Sequence, residues 1–172
     1  MSARRTAATR AAQTAGIAFT VHEYVHDAAV VAYGAEAVAR LGLDPERVFK
    51  TIVVRAGDAH AVAVVPVATE VDLKALAGAL GAKQATLADP TDAQRVTGYV
   101  VGGISPLGQK RALPTVIDAS AGAFPTLFVS AGRRGLEIEL APDDLCRVVN
   151  GSFAVIARRQ ARTQRGSTTS ST

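Results

Sequence analysis

The stretch Val48-Phe49-Lys50-Thr51-Ile52-Val53-Val54-Arg55-Ala56-Gly57-Asp58-Ala59-His60-Ala61-Val62-Ala63-Val64-Val65-Pro66-Val67 decides the fold. Its first part, Val48 to Ala56, is rich in β-branched side chains, which suit a pleated, half-buried surface. Gly57-Asp58 is turn chemistry, and His60 to Val67 is a second apolar run, so the stretch reads as a hairpin. One residue in it is out of character. Alternation puts Lys50 on the face of Val48, Ile52 and Val54, where it either runs its stem along apolar surface to water or points an ammonium into a pocket.

Outward from the hairpin, strand and helix patterns interleave. Towards the N-terminus, Thr6 to Ala15 reads as a helix stopped by Gly16, Ile17 to Tyr24 as a strand, and Gly34 to Leu41 as a helix closed by Gly42. Asp44-Pro45-Glu46 is a cap with proline at the first helical position. Towards the C-terminus, Asp72 to Leu80 and Asp89-Pro90 to about Val96 read as helices, and Tyr99 to Val101 as a short strand before a loop from Gly102 to Pro114. Thr115 to Asp118, Thr126 to Ser130 and Leu136 to Leu140 read as strands. Pro142 opens a helix with Asp143 and Asp144 in its first turn, where the helix dipole favours acids. A final helix is expected from Phe153. The rhythm is not strictly βαβ. It predicts an α/β single domain with one mixed, mostly antiparallel sheet that closes into a barrel-like core among helices.

A chain of 172 residues is one domain rather than two. Ala accounts for 34 residues against five Phe, three Tyr and no Trp, so the interior is built from small side chains around a few larger clusters. The longest apolar run, Ala61 to Ala68, is broken by Pro66 and falls far short of the roughly 20 residues of a helical membrane span. The one cysteine, Cys146, excludes a disulfide framework and a cysteine-based zinc site and reads as a core thiol; a reduced, cytoplasmic protein is expected. Arg4, Arg5 and Arg10, with no acid before Glu23, have the look of a transit peptide but read as an Arg- and Ala-rich first helix without a secretory leader. The net charge of +4 belongs to the ends. Residues 1–10 carry three arginines and residues 158–172 carry Arg158, Arg159, Arg162 and Arg165, leaving 12 basic against 15 acidic residues between them. Residues 1–5 are read as a flexible basic N-terminus, 6–159 as the domain and 160–172 as a flexible polar tail.

The motifs of several common chemistries are missing: no phosphate-binding G-x-G-x-x-G or Walker loop, and no G-x-S-x-G elbow. His22 and His26 are four apart, but on a strand that puts them roughly 13 Å from each other, so no metal site is expected there. His60 reads as a surface residue. Two loops carry more promise. Gly102-Gly103-Ile104-Ser105-Pro106-Leu107-Gly108-Gln109-Lys110-Arg111 has paired glycines that admit a ligand or another backbone, and their amides could face an oxyanion. Ser130-Ala131-Gly132-Arg133-Arg134-Gly135 is a hairpin tip with two arginines, either solvated or gripping phosphate.

Taken together, VFKTIVV (48–54), residues 62–83, LADPTDAQRVTGYVVGGISPLGQKRALPTVID (87–118) and SAGRRGLEIEL (130–140) resemble the YbaK/EbsC family of aminoacyl-tRNA deacylases, in its Cys-tRNA(Pro) subgroup. The resemblance covers about residues 6–159. It implies an editing-domain fold and an enzyme that strips cysteine from mischarged tRNA(Pro), whose small apolar competitors a synthetase pocket discriminates poorly. It implies attack by the substrate's own thiol, with no cofactor and no metal. It further implies Lys50 as the catalytic lysine beside the terminal ribose and carbonyl, with Tyr24, Tyr33, Thr51, Gly102, Gly103, Ser130, Gly132 and Glu137 binding the substrate. Relatives carry Asp where this chain has Glu137. The implied partners are the acceptor end of tRNA(Pro) and, beyond it, prolyl-tRNA synthetase. Two alternatives stay open on the residues: a deacylase for another small amino acid such as alanine, using water, and a non-catalytic module that binds tRNA or a synthetase.

Overall fold

The hairpin forms and is the centre of the molecule. The computed structural model describes residues 4–159, so residues 1–3 of the expected basic terminus and the expected tail 160–172 lie outside the described residues. In chain order the strands are β1 (Phe19–Glu23), β2 (Phe49–Ala56), β3 (Ala59–Pro66), β4 (Thr69–Val71), β5 (Ala85–Leu87), β6 (Thr115–Asp118), β7 (Leu127–Arg133), β8 (Leu136–Leu140), β9 (Ser152–Ala154) and β10 (Ala157–Arg159). The helices are α1 (Ala7–Thr14), α2 (Tyr33–Leu41), α3 (Leu73–Leu80), α4 (Pro90–Thr97) and α5 (Pro142–Val148).

β2 and β3 pair antiparallel from Phe49 opposite Pro66 to Ala56 opposite Ala59, and Gly57 turns between them at φ +64°. The unbroken apolar run of β3 fits a strand covered on both faces, and Val62 to Val65 are fully buried. β6 lies parallel to β3 on its other side, giving a five-stranded mixed sheet in the order β5-β2-β3-β6-β9. One face, with Phe49, Val53, Val62 and Val64, packs on Val129, Ile138 and Leu140 of a second, antiparallel sheet, β1-β8-β7. The other face, with Val54, Ala63 and Val65, packs on Leu76 of α3 and on Ile156. Side-chain caps start most helices as the sequence predicts. Thr6 and Thr9 form a capping box on α1, and Asp72 and Asp89 cap α3 and α4. Among the described residues no helix is long and apolar enough to cross a membrane.

Three expectations are corrected. The sheet does not close into a barrel, because closure needs a continuous staggered ladder around the ring. Here β7 meets the start of β2 at a single bridge, Val48 to Phe128, and pairing stops there; β5 and β9 remain as edges. Tyr99 to Val101 is a turn, not a strand: the Tyr99 hydroxyl donates to the Leu107 carbonyl at 2.6 Å, and the Val101 N–H goes to the Gln94 side chain at 2.9 Å. The segment after Phe153 is not a helix. Asp118 accepts the N–H groups of Ile156 and Ala157, both at 2.9 Å, and β10 pairs antiparallel with β4, so distant partners hold the chain extended.

Candidate active site

A cavity of about 510 Å³ opens between the start of β2 and the second sheet. Its wall takes Phe49 to Val53 from β2, Val31 and Ala32 from the loop before α2, Tyr33 to Ala35 from the first turn of α2, Gly102 and Ile104 from the loop after α4, and Ser130 and Glu137 from β7 and β8. The geometry follows from the missing ladder: where β2 and β7 stop pairing beyond Val48 and Phe128, their side chains face open space.

Lys50 is half-buried in this wall and has no hydrogen bond or ion pair among the described residues. Burial pushes its ammonium below the usual lysine range, and only the more distant charge of Glu70 opposes this. On β2, Thr51 presents a buried hydroxyl oxygen with no hydrogen-bond partner among the described residues. Glu137 stands in register between His22 of β1 and Ser130 of β7. Its side chain is buried with no hydrogen-bond partner among the described residues, and desolvation pushes its carboxyl up to about 8. The Ser130 hydroxyl accepts the Gly132 N–H at 3.2 Å.

Six of the nine residues expected at the site therefore share one wall: Lys50, Thr51, Tyr33, Gly102, Ser130 and Glu137. The other three are not among its lining residues. Tyr24 donates its N–H to the Gly135 carbonyl, and burial, with the charges of Glu137 and Glu36, pushes its phenol up to about 12. Gly103 is a packing glycine, since a Cβ there would lie 2.7 Å from the Arg133 Cα. Its amide donates to the Val100 carbonyl at 2.9 Å, so it does not face an oxyanion. Gly132, at φ +104°, lets the Tyr99 ring approach; a Cβ would meet it at 2.8 Å.

Other side chains the sequence singled out have partners elsewhere. His22 Nε2 lies 2.8 Å from Glu139 Oε1, and His26 Nδ1 lies 2.6 Å from Glu36 Oε1. His60 is not a surface residue: it is largely buried, with Nε2 2.5 Å from Asp92 Oδ2. Neither arginine of the hairpin tip is simply solvated, since Arg133 reaches Glu23 at 2.9 Å and Arg134 reaches the Val101 carbonyl at 2.9 Å. Cys146 is partly buried in α5, away from the cavity wall; burial and Asp143 push its thiol up. Sequence reasoning did not find the apolar wall, Phe49, Val53, Ala93 and Ile104, because cavity-lining and core side chains carry the same signal.

Among the described residues, the wall offers a cation without a counter-ion, an acid that keeps its proton near neutral pH and three hydroxyls, those of Tyr33, Thr51 and Ser130, but no thiol and no imidazole. Such a site orients a substrate and stabilises charge as it develops. The aminoacyl-tRNA editing domain family matches residues 28–148. An Enterococcus faecalis protein named as a candidate Cys-tRNA(Pro)/Cys-tRNA(Cys) deacylase, EbsC, is 42% identical over 128 residues, covering 73% of this chain and 78% of that protein. A crystal structure described as a candidate trans-editing enzyme for prolyl-tRNA synthetase superposes with a TM-score of 0.80 at 19% identity, covering 94% of this chain and 99% of the other. A second, of a hypothetical protein, gives 0.80 at 19% identity over 89% of this chain. These two show the fold. The chain belongs to the aminoacyl-tRNA editing family and is an aminoacyl-tRNA deacylase.

Proposed function

We propose that residues 6–159 form a trans-editing domain that removes cysteine from Cys-tRNA(Pro) made in error by prolyl-tRNA synthetase, with the acceptor end of that tRNA as the principal partner and the cytoplasm as the place of work. The observation that carries this reading is the cavity wall itself. Lys50 and Glu137 stand in it without partners, and no protein thiol or imidazole is there to attack an ester.

In this reading the nucleophile is the substrate's own sulfur. A carbon–sulfur bond forms at the ester carbonyl, the carbon–oxygen bond to the ribose breaks, and the thiol proton ends on the released ribose hydroxyl. The products are free tRNA and a cyclic thiolactone. Lys50 faces the oxygen on which charge develops, and the low dielectric around a half-buried ammonium strengthens that interaction. Glu137, at about 8, is matched to a thiol of about 8.5 and is suited to pass the proton from sulfur to ribose. Tyr33, Thr51, Gly102 and Ser130 bound the acyl group, with Tyr24, Gly103 and Gly132 supporting the wall. The sequence relative named for Cys-tRNA(Pro) and Cys-tRNA(Cys) supports cysteine as the acyl group.

The test is a deacylation panel with Cys-, Ser- and Ala-charged tRNA(Pro). Serine keeps the shape of cysteine but a hydroxyl ionises far less readily than a thiol. Cysteine is expected to be released at least about tenfold faster than either, with thiolactone among the early products. Equal rates, or an acyl group trapped on the protein, refute the mechanism; no release from any of the three refutes the function.

A further inference from the structure

Arg134 bridges two segments of the cavity wall, the start of α2 with Tyr33 and the loop with Val101 and Gly102. Tyr33 enters the wall at the start of α2, after an irregular segment that runs from Tyr24. That segment is anchored from inside: buried Glu36 takes the Asp27 N–H at 3.0 Å and pairs with His26, whose ring lies 5.7 Å from that of Tyr33. From outside, the tip of the β7–β8 hairpin reaches over it. The Arg134 guanidinium carbon sits 4.8 Å from the centre of the Tyr33 ring, and its Nε–H donates to the Val101 carbonyl at 2.9 Å. Val101 precedes Gly102, whose missing side chain lets the backbone lie against the same ring; a Cβ would come within 2.8 Å of three ring atoms. Gly103 and Gly135 close the crossing, each with backbone of a neighbouring segment where a Cβ would be.

We propose that Arg134 is a positioning residue of the cavity: its guanidinium clamps the start of α2, which bears Tyr33, to the loop bearing Gly102 and so fixes the aperture through which the aminoacyl end of the tRNA enters. A planar guanidinium can stack on a ring and aim an N–H at a carbonyl in one geometry, which an ammonium cannot do. Arg134 is exposed, so its contacts act on the aperture rather than on global stability.

The kinetic arm of the test rests on the deacylase reading; the spectroscopic arm does not. With the full chain and Cys-charged tRNA(Pro), R134Q is expected to raise KM about tenfold with kcat nearly unchanged, since a misplaced binding wall loses substrate affinity before chemistry. R134K, with charge but no fork, recovers only part of this. Y33L and R134Q combined are expected to be no worse than Y33L alone, the non-additivity of a coupled pair. Without substrate, R134Q alters the near-ultraviolet tyrosine circular dichroism, readable because the chain has three Tyr and no Trp. The melting temperature stays within about 2 °C. An unchanged tyrosine signal overturns the clamp; so do additive effects of the two substitutions. A KM that merely loses its salt dependence overturns it too, placing the guanidinium on the tRNA backbone instead. A wild-type chain that releases no amino acid fails the functional reading while the tyrosine signal still decides on the clamp.

Discussion

Glu137 and Glu139 are two residues apart on one face of β8, and the fold treats them in opposite ways. Glu139 accepts from the Thr126 hydroxyl at 2.6 Å, lies 2.8 Å from His22 Nε2 and 3.6 Å from Arg47 Nη2, and these partners hold its carboxyl below the usual range. Glu137 has burial without partners and keeps its proton up to about 8. The neighbours decide this, not the residue type. Glu139 faces β1 and the arginine that follows α2, whereas Glu137 faces the gap where β2 and β7 part. A buried carboxyl without a partner is costly, and a fold retains one where the proton has a use. Glu139 is thus tied into the scaffold while Glu137 lines the cavity, and the two can be tested against each other.

The sharpest break in the comparison is at Lys50, the other titratable group of the cavity wall without a partner among the described residues. If Lys50 faces the reacting ester as proposed, Lys50→Ala is expected to cost at least about 100-fold in deacylation rate. The melting temperature should hold or rise, because a half-buried ammonium without a partner contributes nothing to the fold that alanine would lose. Single-turnover rates and a thermal melt on one preparation decide it. A rate near wild type would leave Lys50 as a stem lying along the sheet.

Exchanging the two glutamates for glutamine sharpens it further. Glu137→Gln is expected to cost about 10- to 100-fold in rate, the worth of a positioned proton donor, and to stabilise the fold in base. An acid with a raised folded-state pKa binds more protons folded than unfolded. Wild-type stability therefore falls between the ordinary 4.5 and about 8, by at most about 1.4 kcal/mol per pH unit, and the variant lacks that slope. Glu139→Gln should do the reverse. Its carboxyl is held low, so the stability it contributes is present above the usual carboxylate range and is lost on acidification. At neutral pH that substitution is expected to cost about 1–2 kcal/mol with deacylation intact. Melts at pH 3, 5, 7 and 9 on both variants separate the two, Glu137 acting above 4.5 and Glu139 below it; parallel profiles would erase the distinction.

Much of this arrangement is legible in the amino-acid sequence, and the reasons are local. The β2–β3 hairpin is written in its β-branched run and its turn glycine, the helix starts in Thr6, Asp72 and Asp89, and the odd placement of Lys50 in plain alternation. What cannot be read there is what distant segments decide. β4, β5, β9 and β10 are three residues each and exist because remote partners, Asp118 among them, hold them extended. The isolation of Glu137 depends on a pairing that stops at Val48 and Phe128, 80 residues apart in the chain, and nothing in Leu-Glu-Ile-Glu-Leu separates its two glutamates. The family resemblance marks Glu137 as a site residue; the geometry is what gives a reason.

The smallest expected effect concerns Cys146, the one thiol in the sequence. A thiolate nucleophile needs a lowered pKa and access to the ester. Cys146 has neither: burial and Asp143 push its thiol up, and α5 holds it against the core, outside the cavity wall. It is partly buried and packs against the main core cluster. Cys146→Ala leaves a small void, so about 1 kcal/mol of stability should be lost, read as a modest drop in melting temperature. The deacylation rate should stay within about twofold of wild type, because no bond to the protein forms or breaks in substrate-assisted cyclisation. A rate loss comparable to that of Lys50→Ala, with the fold intact, would move the nucleophile from the substrate to the enzyme and undo the reading of the cavity as a site that only positions and polarises.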